Sequence, residues 1–572
     1  MEGKRILLAI VLSFLLLFAW QLIVVKKSPE LQAPAEQTAK LETGPTQPAP
    51  EQKKVEGRAP VQVPKTEANQ LNIKQIAAQG EEQVTVSTSL YQALWSNKGG
   101  VLSSWKLHNH KNEKNEDLDL IPAFVKNAGV FPFSLFDDSP EAAKAGLAGI
   151  RSSVYNSAFY KVTGMSRNIK DGEKAELRFE YSDGKELEIE KIFTFYGGKY
   201  DFDISILIRK NGQPVEPRLL WGPGIGNPSE AELKQSFSAG SGVTVLASNK
   251  VYRLAEDAKK YNPEGSAFNF VNWAAYDDNY FAALFVPAAG SGTAAFLKED
   301  DVENKVAYFF LAVNNPGKAY VGPKELETLA AFGHDAKKII RFGFFGVIAE
   351  AFLASLKFIH KFIPNWGLVI IVFTVIIKIL LFPLTYSSTK SMAKMAELQP
   401  KVKALRSKYK KSKTDIAQRR QMNEEMMKLY KEQGVNPAGG CLPTVLQIPI
   451  FFALWPLFRL AIELRHSPFI LWVQDLSLRE TVFWPHLPIL AVLMGVAQYI
   501  QQKMTPTSAD PGQARMMMLL MPVFMTFIFM SVQSGLVLFW MTSNIIQIGQ
   551  QYVMNRMMKK KKVESHGKPR KK

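Results

Sequence analysis

Long apolar runs bracket a middle stretch of the chain in which apolar and polar residues alternate at every second position. Residues 6–25 are apolar apart from Ser13 and Gln21, and Lys4, Arg5, Lys26 and Lys27 flank them. Twenty helical residues rise about 30 Å, the thickness of a hydrocarbon core, so this run predicts a first transmembrane anchor. A cleaved signal peptide would have a shorter apolar core and a nearer small-residue site than Ala33-Pro34-Ala35. Residues 28–69 are rich in Pro, Ala, Gln, Glu and Lys. They lack the large apolar side chains that offset ordering entropy and predict a disordered linker. Residues 80–330 then change to short alternating runs bounded by Gly, Asn, Asp and Pro. Residues 176–190 alternate on either side of Ser182-Asp183-Gly184 and read as a hairpin, with further strands at 193–200 and 202–208. Many strands without intervening helices predict a large all-β sandwich domain.

Beyond it the period changes to that of a helix. Ile339, Ile340, Phe344, Phe345, Ile348, Phe352 and Leu356 recur at helical spacing within 337–362, which predicts an interfacial amphipathic helix; a core helix of the sandwich is the competing reading. Five apolar spans follow, at 366–386, 442–464, 484–500, 516–532 and 535–552. As one helix the last two would rise about 55 Å, far more than a bilayer, so Gln533-Ser534 predicts a tight turn. The chain therefore reads as an α-helical polytopic membrane protein with six transmembrane helices and a β-sandwich between the first two. Residues 388–433 read as a charged helical hairpin, with Met392, Met395, Leu398, Val402 and Leu405 on one arm and Ile416, Met422, Met426 and Leu429 on the other.

Charge fixes the orientation. The chain has 70 Lys+Arg against 52 Asp+Glu, a formal net charge of +18. Between Ser387 and Gly440 there are 13 basic and 5 acidic residues, and from Arg556 to Lys572 there are 9 and 1, so each segment carries +8 and together they hold 16 of the 18. Two basic patches on one side of six spans are cytoplasmic by the positive-inside rule, which puts both termini in the cytoplasm and the sandwich outside. The patches suit ribosomal RNA or anionic lipid, since both bind through phosphates.

Candidate chemistry is sparse. A single cysteine, Cys441, excludes a disulfide framework and a multi-cysteine metal site. His108 and His110 have no evident third metal ligand nearby, and no nucleotide, metalloprotease or nucleophile-elbow pattern occurs, so no cofactor is implied and the function reads as non-enzymatic. Within the spans, Lys378 lies eight residues before Tyr386, with Thr374 one turn earlier. Gln447, Gln498, Asn544 and Gln547 add uncharged polar groups in three other spans. Arg459 and Glu463 lie near an outer end, and the absence of mid-span carboxylates argues against a proton-coupled pump. Lys378 either keeps an interior cavity wet and attracts acidic groups or snorkels to the cytoplasmic surface, and the amides could equally be interhelical hydrogen bonds.

Several segments together resemble the YidC insertase family (the YidC/Oxa/Alb family): NWGLVIIVFT at 365–374, FPLT at 382–385, SMAKM at 391–395, LQPK at 398–401, VNPAGGCLP at 435–443, QIPIF at 447–451, SPF at 467–469, LWVQDL at 471–476, QKMTP at 502–506, MPVF at 521–524 and SGLVL at 534–538. The outer region is similar more loosely, through NKGGV at 97–101, WGPG at 221–224 and Tyr280-Phe281 followed by Pro287. The resemblance implies the Gram-negative form in the bacterial inner membrane, with a large periplasmic domain and a five-helix core. It implies a membrane protein insertase and chaperone, acting on nascent membrane proteins alone or with the Sec translocon (SecYEG, SecDF), and contacting the ribosome and anionic lipids. It further implies a hydrophilic groove open to the cytoplasm, lined by Lys378, Thr374, Gln447, Gln498, Asn544 and Gln547. Met516, Phe524, Phe527, Phe539 and Trp540 would contact the substrate helix. Two departures stand out: Lys378 replaces the family's usual arginine, losing its planar fork while keeping the charge, and Phe539-Trp540 lies where the family often has tyrosine. The alternatives are a transporter for a small anionic solute, with Lys378 as its binding charge, and an outward assembly scaffold built on the sandwich.

Overall fold

The computed structural model describes residues 73–566, apart from short internal segments at 137–139, 165, 217, 234–240, 256–261, 263–265, 289–291, 302–305, 410–414, 436–441, 481–487 and 507–510. The expected anchor at 6–25, the linker at 28–69 and Cys441 lie outside the described residues.

Among the described residues two sheets pack face to face, one of five strands and one of 14. The small sheet runs from Asp117–Asp119 through Val101–Lys111, Tyr91–Ser96 and Gln83–Ser87 to Arg167–Asn168. In the large sheet, Leu187–Tyr196 alternates between core and rim along its whole length. It pairs antiparallel with Lys174–Ser182, Ser182 opposite Glu188. Asp183 closes their turn, its Oδ1 accepting from the N–H groups of Lys185, Glu186 and Leu187 at 2.8, 3.0 and 3.0 Å. The core between the sheets is aromatic: the Trp95 ring lies 4.4 Å from Phe193 and 5.1 Å from Phe133. Lys191 occupies an inward position of the alternating strand and is fully buried. Its Nζ donates to the carbonyls of Gly99 (2.7 Å) and Phe133 (2.9 Å), which ties the two sheets together.

The segment 337–362 is not one helix. Ala336–Ile339 forms a 3-10 turn whose Ile339 is buried in the β core. Arg253 holds that turn there, donating to the carbonyls of Lys338 (3.0 Å) and Ile339 (3.1 Å). Gly343 then adopts φ +76°, and a helix resumes at Gly346–His360. The tertiary hold on Ile339 outweighs the helical periodicity that runs through it. Around this helix Phe344, Val347, Phe358 and Phe362 are exposed on the side away from Ala349, Leu353 and Leu356.

Among the described residues the helical region has ten α-helices: α1 (Leu326–Phe332), α2 (Gly346–His360), α3 (Trp366–Leu380), α4 (Phe382–Glu397), α5 (Gln399–Lys408), α6 (Ile416–Glu432), α7 (Leu442–Leu460), α8 (Ile489–Met504), α9 (Pro511–Phe529) and α10 (Ser534–His566). The expected span 366–386 is two helices, α3 and α4, bent by 59°. The expected turn between the last two spans is present. Ser534 N–H and Oγ–H both donate to the Leu478 carbonyl, at 2.7 and 2.8 Å, and Gly535 N–H donates to Leu476. Helix α10 does not stop at 552 but continues into the basic segment. Among the described residues no single helix is long and apolar enough to cross a membrane, while α3 and α4 together meet that measure. Asn544, Gln547, Gln550 and Gln551 lower the hydropathy of α10 despite its length.

The β domain grips the helical region at buried polar contacts. Arg465, just past α7 and the Ile462–Leu464 turn, pairs with Glu232 of the β domain at 2.7 Å, both side chains buried. Burial pushes the Glu232 carboxyl up, yet Arg465 beside it holds it below the usual range. Arg465 also donates to the Lys111 carbonyl at 3.2 Å and lies over the Tyr280 and Phe281 rings. Beside the junction, at a more exposed position within the helical region, Lys357 of α2 bridges Glu327 of α1 at 3.0 Å and Glu463 at 3.4 Å. Ile462 completes the junction by entering the β core.

The two histidines of 108–110 play different structural parts. His108 pairs with Asp117 at 2.8 Å, and His110 rests edge-on against Phe281. Burial, then the nearby Arg465 charge, push His110 down to about 4. The unfolded ring titrates near 6.5, so between those values the unfolded chain binds the extra proton and stability rises with pH. This junction is therefore expected to weaken as pH falls from about 6.5 through 4. Thermal unfolding of wild type and His110→Gln across that window checks it; parallel profiles for the two would exclude His110 as a cause.

Candidate groove

Helix α3 sets the first side chains. Asn365 caps it, Oδ1 accepting from Leu368 N–H at 3.0 Å, while its Nδ2 donates to the Phe469 carbonyl at 3.2 Å. Gly367 admits the Phe469 ring so closely that a Cβ there would lie 2.0 Å from it. Thr374 is fully buried and turns its hydroxyl back onto the Ile370 carbonyl at 2.6 Å, so it packs rather than presents a polar group. One turn on, Lys378 lies on the same face. Its Nζ donates to Gln547 Oε1 of α10 at 3.3 Å, which unites two of the sequence-predicted groove residues. Gln550 Nε2 donates to the Lys378 main-chain carbonyl, also at 3.3 Å.

Helix α10 packs along both α3 and α8 and carries most of the polar groups. Asn544, Gln547, Gln551 and Asn555 recur at steps of three, four and four, a single stripe on the helix. Gln551 donates to Asn555 at 2.8 Å, and Asn555 donates to the Met504 carbonyl at the end of α8, at 3.2 Å. Gln498 and Gln502 stand one turn apart on α8. Buried amide atoms of Gln498, Gln502, Asn544 and Gln550 have no hydrogen-bond partner among the described residues. Such atoms are costly in a dry site and suit water or a polar peptide group. Gln447 is half-buried on α7 and its side chain makes no hydrogen bond among the described residues, so it does not join Lys378 through one. Sequence reading missed Gln502, Gln550, Gln551 and Asn555, although their three- and four-residue spacing was the available signal.

The apolar candidates are split. Phe527 is 73% exposed, and Met516 and Phe524 are half-buried. Phe539 is 1% exposed, inside the helical core, and does not line an open surface. Consecutive helical residues point about 100° apart, so Trp540 faces elsewhere, edge-on to Phe451 at 5.5 Å. Exposed Ile376, Ile379, Val445, Val496, Val523 and Ile545 spread apolar surface over α3, α7, α8, α9 and α10. A polar seam inside an apolar surface is unusual for a water-soluble helical domain and natural for one in lipid.

Residues 83–354 match the family model described as the YidC periplasmic domain, and residues 358–562 match the one described as 60Kd inner membrane protein. A membrane protein insertase YidC of Syntrophus aciditrophicus is 36% identical over 584 residues, spanning 97% of this chain and 99% of that one. Another from Geobacter metallireducens is 33% identical, spanning 97% and 98%. A solved structure titled as an active YidC insertase with its first transmembrane domain resolved aligns over 84% of this chain and 95% of its own, at 19% identity and a TM-score of 0.35. The assignment therefore rests on the sequence relatives, which run the length of the chain through both the sandwich and the helices that build the Lys378 seam. The chain belongs to the YidC family of membrane protein insertases, inner-membrane proteins with a large periplasmic β-sandwich domain and a helical C-terminal region.

Proposed function

We propose that this chain inserts and helps fold inner-membrane proteins by receiving their polar translocated segments in the seam around Lys378. The observation that carries the reading is the juxtaposition of one cation, its amide partner and a stripe of amides within helices whose outer faces are apolar. The first anchor and five further segments, including the bent α3–α4 pair, make six spans with both termini cytoplasmic. The basic hairpin and tail meet the ribosome or anionic lipid, and the Sec translocon is a working partner.

The energetics need no nucleotide. A substrate helix of twenty apolar residues gains roughly 6–12 kcal/mol on insertion, and each Asp or Lys carried through hydrocarbon costs roughly 2.5–3.5. Two or three charges are thus tolerable at equilibrium, and the barrier is what the protein must lower. A hydrated seam shortens the dry path, and Lys378 attracts a passing carboxylate. Phe527, the exposed member of the apolar set, is the natural first contact for the emerging helix.

Purified protein in liposomes tests this with a single-span substrate bearing an acidic translocated tail. Protease protection of the tail is expected with wild type and Lys378→Arg, and loss with Lys378→Ala and Lys378→Glu. Protection by all four would remove the electrostatic part. Wild type no better than empty liposomes would sink the insertase reading and favour the anionic-solute transporter.

A further inference from the structure

We infer that Gln547 is the positioning residue of the groove cation, holding the Lys378 ammonium in place without neutralising it until a substrate carboxylate takes over. The inference rests on the reading above and deepens it.

A lysine ammonium is a compact charge on a flexible stem, with three donors and no fixed plane. Left alone beside an aqueous side, it would swing towards bulk water. In this protein the amide oxygen of Gln547 meets it at 3.3 Å from the opposite helix, spanning the seam from α3 to α10. That oxygen has the chemistry a placeholder needs. It is neutral, so the positive charge stays available, whereas a carboxylate there would close an ion pair and cancel it. The contact is also long for an N–H···O bond, whose usual distance is about 2.9–3.0 Å. A charge-assisted bond to an incoming carboxylate is about twice as strong and displaces it readily.

Gln550 gives the arrangement its second point. It lies one turn from Gln547 and donates to the main-chain carbonyl of the same lysine, at 3.3 Å. That carbonyl is among the last four of α3, which the helix itself leaves without partners. Two amides of α10 therefore address one residue of α3, one through its side chain and one through its backbone. Interhelical hydrogen bonds serving only as adhesive have no need to converge on a charged residue. Gln547 thus orients the charge, and Gln550 fixes the strut that carries it.

The test uses the full chain in liposomes and two substrates with one apolar span, one with an acidic and one with a neutral translocated tail. Gln547→Leu is expected to lower protection of the acidic tail about fivefold, the equivalent of one hydrogen bond, and to lower the neutral tail clearly less. Lys378→Arg in that background is expected to restore the acidic tail, because a planar guanidinium needs less orienting. The near-isosteric Gln547→Glu, which preserves packing if the leucine variant does not fold, is expected to bring the acidic tail down to the Lys378→Ala level. Equal losses for both tails would make Gln547 a packing residue and overturn the inference, as would an unchanged acidic tail in both variants. If wild type itself inserts neither tail, the underlying insertase reading falls together with it; if wild type inserts both and only Gln547 proves silent, that reading survives.

Discussion

Arg465→Ala is expected to destabilise the contact between the periplasmic domain and the helices by about 3–5 kcal/mol, the cost of leaving one partner of a buried pair uncompensated. Arg465 and Glu232 are almost entirely buried, and their N···O separation is 2.7 Å. Removing the guanidinium strands the Glu232 carboxylate, which then recovers water by opening the junction or protonates. It also removes the donor to the Lys111 carbonyl and the cation over Tyr280 and Phe281. Limited proteolysis of the full chain in detergent reads the outcome, with faster cleavage between the domains in Arg465→Ala. Exchanging the charges, Arg465→Glu with Glu232→Arg, is expected to recover part of the loss, because the pair's Coulomb attraction survives while the ring contacts and carbonyl bond do not. Equal proteolysis rates for wild type and Arg465→Ala would show that the apolar contact of Ile462 suffices.

Trp95→Ala is expected to cost the β-sandwich about 3–5 kcal/mol, within the range for truncating a buried aromatic. The indole is fully buried between the sheets, within 6.1 Å of Phe133, Phe179, Phe193 and Phe195. Four rings cannot all collapse into the void, so little of the cavity term is relieved. Trp95→Phe is expected to cost less than half as much. It retains a ring, and it removes an indole N–H that has no hydrogen-bond partner among the described residues. Thermal unfolding of the three proteins gives the order wild type, Phe, Ala. A phenylalanine variant as unstable as alanine would mean that the indole shape, rather than ring burial, organises this core.

What sequence alone makes legible follows from the range of each interaction. Strand alternation is local, so the hairpin around Ser182-Asp183-Gly184 is readable from residues 176–190. Lys191 follows directly on that run, but its acceptors Gly99 and Phe133 lie 92 and 58 residues away, and no local pattern pairs them. Arg465 and Glu232 are 233 residues apart and read separately as ordinary surface charges. The helical periodicity of 337–362 is real, yet Ile339 is claimed by another core and the helix breaks after it. In the candidate groove, Lys378 and Gln547 are legible as polar residues in apolar runs, and their contact at 3.3 Å unites them. Phe539 and Trp540 look equivalent in sequence, and only the packing of α10 separates the buried ring from the half-exposed one. Asn555 and Gln502 lie just beyond the apolar windows that define spans, which is why a hydropathy reading stops short of them.

The bend between α3 and α4 has a mechanical meaning. Lys378 sits three residues before the break at Leu381, about 4.5 Å from the fulcrum, whereas the far end of α4 lies about 24 Å beyond it. A swing of roughly 10° about that fulcrum carries the tip through about 4 Å and shifts the lysine by less than 1 Å. Helix α4 is thus the long arm of a lever whose short arm carries the charge, so large excursions at its far end reach Lys378 only as small, damped adjustments.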